Sequence, residues 1–447
     1  MSLPHLRCLP LALAAAAACV SAHADIYTSA DGKFQLSGFG TVGLVATDND
    51  DVIFNSLGQG RGVRQDPSLE VDTKAALQGV YKFTPSISAT VQVMSQLNAK
   101  GNYDPSLDWG FVKWQATPEV AVRIGRMAAP LFMVSDFRHV GYANLTVRPP
   151  RDVYGQIPYS SVDGADVSLQ HTFGETIVTA QLWGGRSKAK YSTILADGSL
   201  STADVEVGKQ FGLNLIAETD NGITVRFGHT QGKMTIEAPT LAQLAAGANT
   251  AANGFAATAA ALPGGDSRRP SLLAASAQYG AVPGLVQVDS VDASFTGLGL
   301  SIDRDNWVGS AEFTKRRTDS YSVDSTGWYA TVGHRFGKFT PYVGLSQLKV
   351  DGKESSPISP AVAAYVASAS PAAAAISPGV DRLLRGQDYG QKTTTLGVRW
   401  DAFKSAALKA QWDRIKPDDA AGQFQGVQPS YDGKAVNVLT LSVDFVF

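Results

Sequence analysis

The residues best placed for chemistry sit in one stretch. From Met127 to Val162 the chain reads MAAPLFMVSDFRHVGYANLTVRPPRDVYGQIPYSSV, carrying Asp136, Arg138, His139, Arg148, Arg151, Asp152 and Tyr154, with Arg123 and Arg126 just before it. Guanidinium groups grip carboxylates and phosphates through paired hydrogen bonds. Opposed charges across a narrow aqueous gap also sort solutes by charge and dipole. Hydrolysis is the competing chemistry. Beyond residue 24 the histidines are His139, His171, His229 and His334. Alternation turns the last three away from a polar interior, and no G-x-S-x-G nucleophile motif lies near His139. Binding or sorting is therefore expected, with no enzyme activity, no catalytic residue, no cofactor and no metal. The acidic run TDNDD at 47–51 has spacing suited to a hard cation, but it reads more simply as a solvated loop.

Such a loop needs a rigid frame, and the frame is written in alternation. SLEVDTKAALQGVYKFT places Leu69, Val71, Ala75, Leu77, Tyr81 and Phe83 against Glu70, Asp72, Lys74, Gln78 and Lys82. Period-two patterning marks a strand with one apolar face, and this run is longer than an ordinary strand. The pattern recurs to the end of the chain, giving about sixteen strands, an even number as expected of a bacterial single-chain barrel. Tight connections (FTPS, FGE, TDNG, DRDN, FGK, AFKS) alternate with mostly longer ones. Short turns on one side and long loops on the other mark an outer-membrane barrel. Aromatics gather beside the short turns: Tyr81, Phe83, Phe173, Phe336, Phe339, Trp400, Phe403, Phe445 and Phe447. An interfacial girdle would sit there.

The first 24 residues have Arg7, the apolar run LPLALAAAAACV and an A-x-A site ending at Ala24, which reads as a cleaved signal peptide. Residues 25–447 then form a single barrel. Both cysteines, Cys8 and Cys19, fall in the leader, which leaves the remainder without disulfides or thiolate sites. With 38 Lys+Arg against 40 Asp+Glu, net charge excludes a nucleic-acid binder. No later stretch has the roughly 18 consecutive apolar residues of a membrane helix. The Ala-rich tracts at about 236–284 and 351–388 are expected to be external loops, their conformation left open by composition. One irregularity stands out: DASFTGLGLSID changes parity and is expected to hold a bulge in strand ten.

Together, the leader, the alternating strands, the long loop after the fifth strand and a terminal Phe447 preceded by apolar residues at every second position resemble the Gram-negative trimeric porins. The resemblance covers nearly all of residues 25–447. It implies an all-β transmembrane antiparallel barrel of about 16 strands, a homotrimer in the outer membrane in contact with lipid and lipopolysaccharide, and passive diffusion of small hydrophilic solutes. It also implies a third loop, about 127–162, folded into the pore, with Arg123, Arg126, Asp136, Arg138, His139, Arg148, Arg151, Asp152 and Tyr154 at the constriction. Leu439, Leu441, Val443, Phe445 and Phe447 correspond to the strand that the barrel assembly machinery reads in that family. Parity adds Lys74, Lys113, Arg226, Arg316, Arg335 and Arg399 to the pore wall, with Lys409, Glu312, Asp413 and Asp444 also facing inward. The loop departs from the family in lacking a Pro-Glu-Phe-Gly-Gly turn and in its three arginines against few acids. A mild anion preference is expected on that ground. The alternative is a channel specific for an anionic solute, such as a carboxylate or phosphate, bound by the loop arginines. An outer-membrane hydrolase is the least favoured reading.

Overall fold

Each alternating segment pairs with its neighbours in sequence, and the last pairs with the first. The computed structural model describes residues 26–447 apart from Lys353 and Ala420, so the signal-peptide reading of 1–24 lies outside the described residues. The barrel comprises sixteen antiparallel strands. They are β1 (Phe34–Thr47), β2 (Lys74–Lys82), β3 (Ile87–Gln96), β4 (Ser106–Gln115), β5 (Val120–Ala128), β6 (Ser161–Phe173), β7 (Thr176–Ile194) and β8 (Leu200–Thr219), followed by β9 (Ile223–Glu237), β10 (Val288–Arg304), β11 (Trp307–Thr318), β12 (Asp324–His334), β13 (Phe339–Asp351), β14 (Gln391–Phe403), β15 (Ala406–Pro417) and β16 (Val436–Val446). Tyr27–Thr28 adds a two-residue extension beside β1. Closure runs from Val438 opposite Thr47 to Val446 opposite Phe39. Beyond it, Gly38 and Phe447 exchange two backbone hydrogen bonds of 2.7 and 3.0 Å.

Outward positions carry large apolar side chains that nothing in the chain covers: Ile124 is 63% exposed, Leu182 62%, Leu298 53% and Leu441 49%. An apolar surface wrapped round a whole barrel fits hydrocarbon, where a closed sheet leaves no backbone group unpaired. No helix among the described residues is long and apolar enough to cross a membrane. The girdle aromatics pair up beside the short turns, as with Phe339 stacked on Trp400 at 5.6 Å and Phe445 on Phe447 at 5.9 Å. The β10–β11 turn is Asp305-Asn306, with φ of 51° and 67°. Positive φ at both centres is the twist a two-residue hairpin requires.

Two glycines seat the terminal aromatics. A Cβ on Gly40 would meet the Phe445 ring at 2.5 Å, and one on Gly38 the Phe447 ring at 2.4 Å. The motif SGFG in β1 is thus complementary to DFVF in β16.

Strand ten differs from expectation. β10 pairs with β11 in unbroken register from Ala293 to Arg304, so DASFTGLGLSID holds no bulge there. The only irregularity on its β9 side lies before it, opposite Met234–Ile236. The apparent parity change is Phe295 pointing inward, 4% exposed, edge-on to Phe132 of the inner loop at 5.1 Å.

The Ala-rich tracts are helical. Helices α2 (Pro239–Ala261) and α3 (Arg269–Val286) form a hairpin between β9 and β10, and the β13–β14 connection contributes Pro360–Ala369, Pro371–Ala374 and Ile376–Arg385. The single turn Arg151–Tyr154, between β5 and β6, is α1. The helices share a core of their own, in which Tyr279 is fully buried and sits edge-on to Phe255 at 5.5 Å. Leu241, Leu285, Leu383 and Leu384 touch both this core and that of the inner loop. The hairpin of β7 and β8 also reaches over the mouth: Ser192 donates to the Ala99 carbonyl at 2.6 Å, and Gly426 donates to the Ile194 carbonyl at 2.9 Å.

Candidate functional site

The segment between β5 and β6 enters the barrel and is tied to the opposite wall along most of its length. Its first turn is held by backbone carbonyls. Arg226 of β9 donates to the carbonyls of Pro130 and Leu131 at 2.6 and 3.0 Å, and to Asn214. Glu312 of β11 accepts from the Met133 amide and the Tyr154 hydroxyl, both at 2.7 Å. Around these contacts Phe132 stacks on Tyr154 at 4.4 Å in an apolar cluster with Met127, Trp183 and Tyr329.

The middle of the loop is held by two cations. Lys409 of β15 donates to the carbonyls of Gly141, Asn144 and Thr146 at 2.7–2.9 Å and pairs with Asp444 at 3.0 Å. Arg399 of β14 donates to the carbonyls of Tyr142 and Asn144, lies over the Tyr142 ring at 5.1 Å and pairs with Asp401. A Cβ at Gly141 would overlap the Asp444 carboxylate, so only glycine permits this approach.

Arg148 then bridges two walls. It binds Asp72 through two hydrogen bonds of 3.0 and 2.5 Å, Asp413 at 3.1 Å and the Thr440 hydroxyl at 2.6 Å. Burial opposes the Asp72 charge, but the Arg148 guanidinium outweighs it and holds that carboxyl below its usual value. Asp152, 1% exposed, accepts from Ser346 and from Gln391. Burial raises its pKa. Gln156 completes the anchoring to Thr314 and Ser325, and Arg316 donates to the Gln156 carbonyl and to Tyr389.

Sequence reasoning and geometry part company at several residues. Arg148, Asp152 and Tyr154 are buried anchors, and the first two border only a 30 Å³ cavity. Arg226, Arg316 and Arg399 face inward as expected, yet their donors are used on the loop. Arg335 lies in the β12–β13 turn, paired with Asp303 at the short-turn rim of the barrel. Arg126 turns outward: it stands opposite Asp163 in unbroken register, two positions from the lipid-facing Ile124, and pairs with that carboxylate at 2.6 Å. The TDNDD run is absorbed in loop contacts, Asp48 capping Asn437 and Asp51 accepting from Ser430.

Within residues 135–140, facing β3–β6, Asp136 and Phe137 stay exposed while Ser135 is buried. Asp136 is exposed although wall surrounds it, the condition of a side chain in a filled channel. Burial raises its carboxyl pKa while Arg123 pulls it back. Arg123 is held by Asp166 through contacts of 2.5–3.2 Å, and Lys113 lies directly opposite it on β4. His139 is pushed well below its ordinary pKa by burial, Arg138 and Lys74, and so stays neutral. Sequence reasoning missed Asp108, Asp166 and Gln92, which border this space or fix its cations; inward parity was the available signal.

A closed sixteen-strand barrel with an inward loop fastened to its wall has the fold of the outer-membrane porins. Among solved structures, OmpF of Salmonella typhi, in complex with daunomycin, matches with a TM-score of 0.52 at 12% identity, over 95% of this chain and 100% of that one. The outer membrane channel DcaP of Acinetobacter baumannii matches at 0.51 and 9% identity, over 94% and 99%. No protein-family model and no curated protein sequence matches the chain.

Proposed function

We propose that the protein is an outer-membrane channel passing small hydrophilic solutes by diffusion between loop residues 135–140 and the β3–β6 wall. The observation that carries this reading is the loop tied across the lumen with Asp136 left wet opposite Arg123 and Lys113. A loop carboxylate facing wall cations sets up a transverse field. Lys74, Lys113 and Arg138 form no ion pair among the described residues, which favours a weak preference for anions. Strands β2–β5 have only nine or ten residues, against 19 and 20 in β7 and β8. Their low apolar wall suits burial against two further copies in a homotrimer. Leu439, Leu441, Val443, Phe445 and Phe447 suit recognition by barrel assembly machinery, with Leu439 and Leu441 facing outward. Planar-bilayer recording tests the proposal: discrete conductance steps in groups of three are expected, and a sealed bilayer overturns it.

One observation favours the solute-specific alternative. Arg151 has an Nη1 without a hydrogen-bond partner, beside a 30 Å³ cavity lined by Thr146, Thr331 and Thr393 and also by the carboxylates of Asp152 and Asp413. Burial and then Arg148 lower its pKa to about 10, so it keeps its charge at neutral pH. Saturation of conductance by a small carboxylate or phosphate, lost in Arg151→Gln, is the mark of this reading.

A further inference from the structure

Inside the barrel one large apolar side chain is left in water. On the inner loop Leu131, Phe132, Val147, Val153 and Tyr154 are all less than 5% exposed, but Phe137 is 39% exposed. In the membrane-spanning wall such side chains lie on the outward face, where hydrocarbon covers them. Phe137 has no such cover. It follows Asp136, which is exposed and makes no hydrogen bond or ion pair among the described residues.

The wall facing this pair carries rings and charge as well. On β4 the inward column runs Trp109, Phe111, Lys113 toward the short turns. Trp109 lines a small cavity together with Ser135 and Asp136, which brings the loop against the top of that column. Arg123 lies over the Phe111 ring at 5.5 Å and is the cation that acts most on Asp136. Its guanidinium is already claimed by Asp166. Lys113, the direct partner of Arg123 across the β4–β5 ladder and about 7 Å along the strand from Phe111, has no ion pair among the described residues.

A wet ring beside a free carboxylate, faced by a free ammonium, restricts the solute that fits. A simple anion is repelled by Asp136 and a simple cation by Lys113, whereas a zwitterion is repelled by neither. Aromatic walls favour a flat apolar group. Resting on the channel reading given above, we infer that the constriction binds zwitterionic amino acids with an aromatic side chain, the ring on Phe137, the ammonium toward Asp136 and the carboxylate toward Lys113. Burial of the solute's ring strengthens binding about tenfold over a zwitterion without one.

The test uses the full barrel in planar bilayers, with L-phenylalanine, glycine, phenylacetate and phenethylamine added in turn and the reduction of current as readout. Phenylalanine is expected to act at about a tenfold lower concentration than glycine, and at a lower concentration than either singly charged analogue. Phe137→Ser should bring phenylalanine and glycine level, while Phe137→Leu, which keeps an apolar side chain, retains most of the difference. Lys113→Gln should remove the advantage of phenylalanine over phenethylamine, and Asp136→Asn its advantage over phenylacetate. Equal action of phenylalanine and glycine on the wild type overturns the inference, as does a preference unchanged in Phe137→Ser. So does phenylacetate or phenethylamine matching phenylalanine. Saturation-transfer NMR of phenylalanine with the detergent-solubilised barrel is run in parallel. Binding without conductance refutes the channel reading alone, and conductance without binding refutes this inference alone.

Discussion

Replacing Arg148 with methionine keeps most of the side chain's apolar reach and deletes its charge. Asp72 and Asp413, each 5% exposed, then face one another with no ion-pair partner. Removing one member of a buried pair costs about 3–5 kcal/mol, because the charge left behind is uncompensated. That corresponds to roughly a hundredfold to a few thousandfold in the ratio of pinned to released loop around residues 146–151. The other anchors, Lys409 and Arg226, still hold the earlier part of the loop. Two measurements follow on the same sample: thermal unfolding of the barrel in detergent and single-channel conductance. Arg148→Met is expected to unfold at lower temperature and to give larger, noisier steps. The triple variant Arg148→Met/Asp72→Asn/Asp413→Asn, which has no buried charge to strand, is expected to recover most of both properties. If the single variant matches wild type in both, or the triple is as impaired as the single, the idea that this network pins the loop is wrong.

Lowering the pH tests the same network by titration: Asp72 is held below its ordinary value, so its contribution is complete above about pH 4 and disappears as pH falls through the lowered value. Release of the loop through Arg148 is therefore expected only below about pH 4, after the change in selectivity that follows protonation of Asp136, whose pKa burial raises. Asp136→Lys should move the reversal potential in a salt gradient toward greater anion preference; no movement would remove Asp136 from the conducting path. Gly40→Val places atoms against the Phe445 ring and is expected to cost about 1–3 kcal/mol of barrel stability, read by heat-modifiable gel mobility. Gly79→Ala, whose Cβ would meet Phe34 at 3.4 Å, is the mild control. Tyr279→Ala empties a fully buried site in the helical cap, at a cost of about 3–5 kcal/mol. Hydrogen exchange should rise in 239–286 and 360–385 while the barrel strands keep their protection.

The barrel was legible because period-two alternation is a local signal, and a register slip of one residue would turn every outward leucine into the lumen. The inward aim of Arg226, Arg316, Arg399 and Lys409 followed from the same rule. Their task did not, since the loop carbonyls they bind lie 95 to 268 residues away in sequence. The helices of the Ala-rich tracts were obscured by their glycines and prolines. Yet Pro239, Pro360 and Pro371 all stand at a helix start, where proline is favoured. Ala245, Ala248, Ala252, Phe255 and Ala259 also recur at helical spacing on the face that is buried. These were the signals available.

Charge selectivity is where counting residues misleads most. Three arginines in the loop suggested a mild anion preference, but the field a solute meets depends on which charges are compensated and which are wet. Arg148 is neutralised by two carboxylates and shut away from water. Arg151 lies beside it over the Phe54 ring at 4.5 Å, and only Arg138 shares the segment that carries Asp136. Arg123, the wall cation nearest that segment, is itself paired with Asp166. The residual field thus comes from Asp136 and Asp108 against Lys113, Lys74 and Arg138, a difference of a single charge. A single substitution among those five is therefore expected to change selectivity more than replacement of either buried arginine. A reversal potential that responds to Arg151 but not to Asp136 would place the conducting path on the other side of the loop.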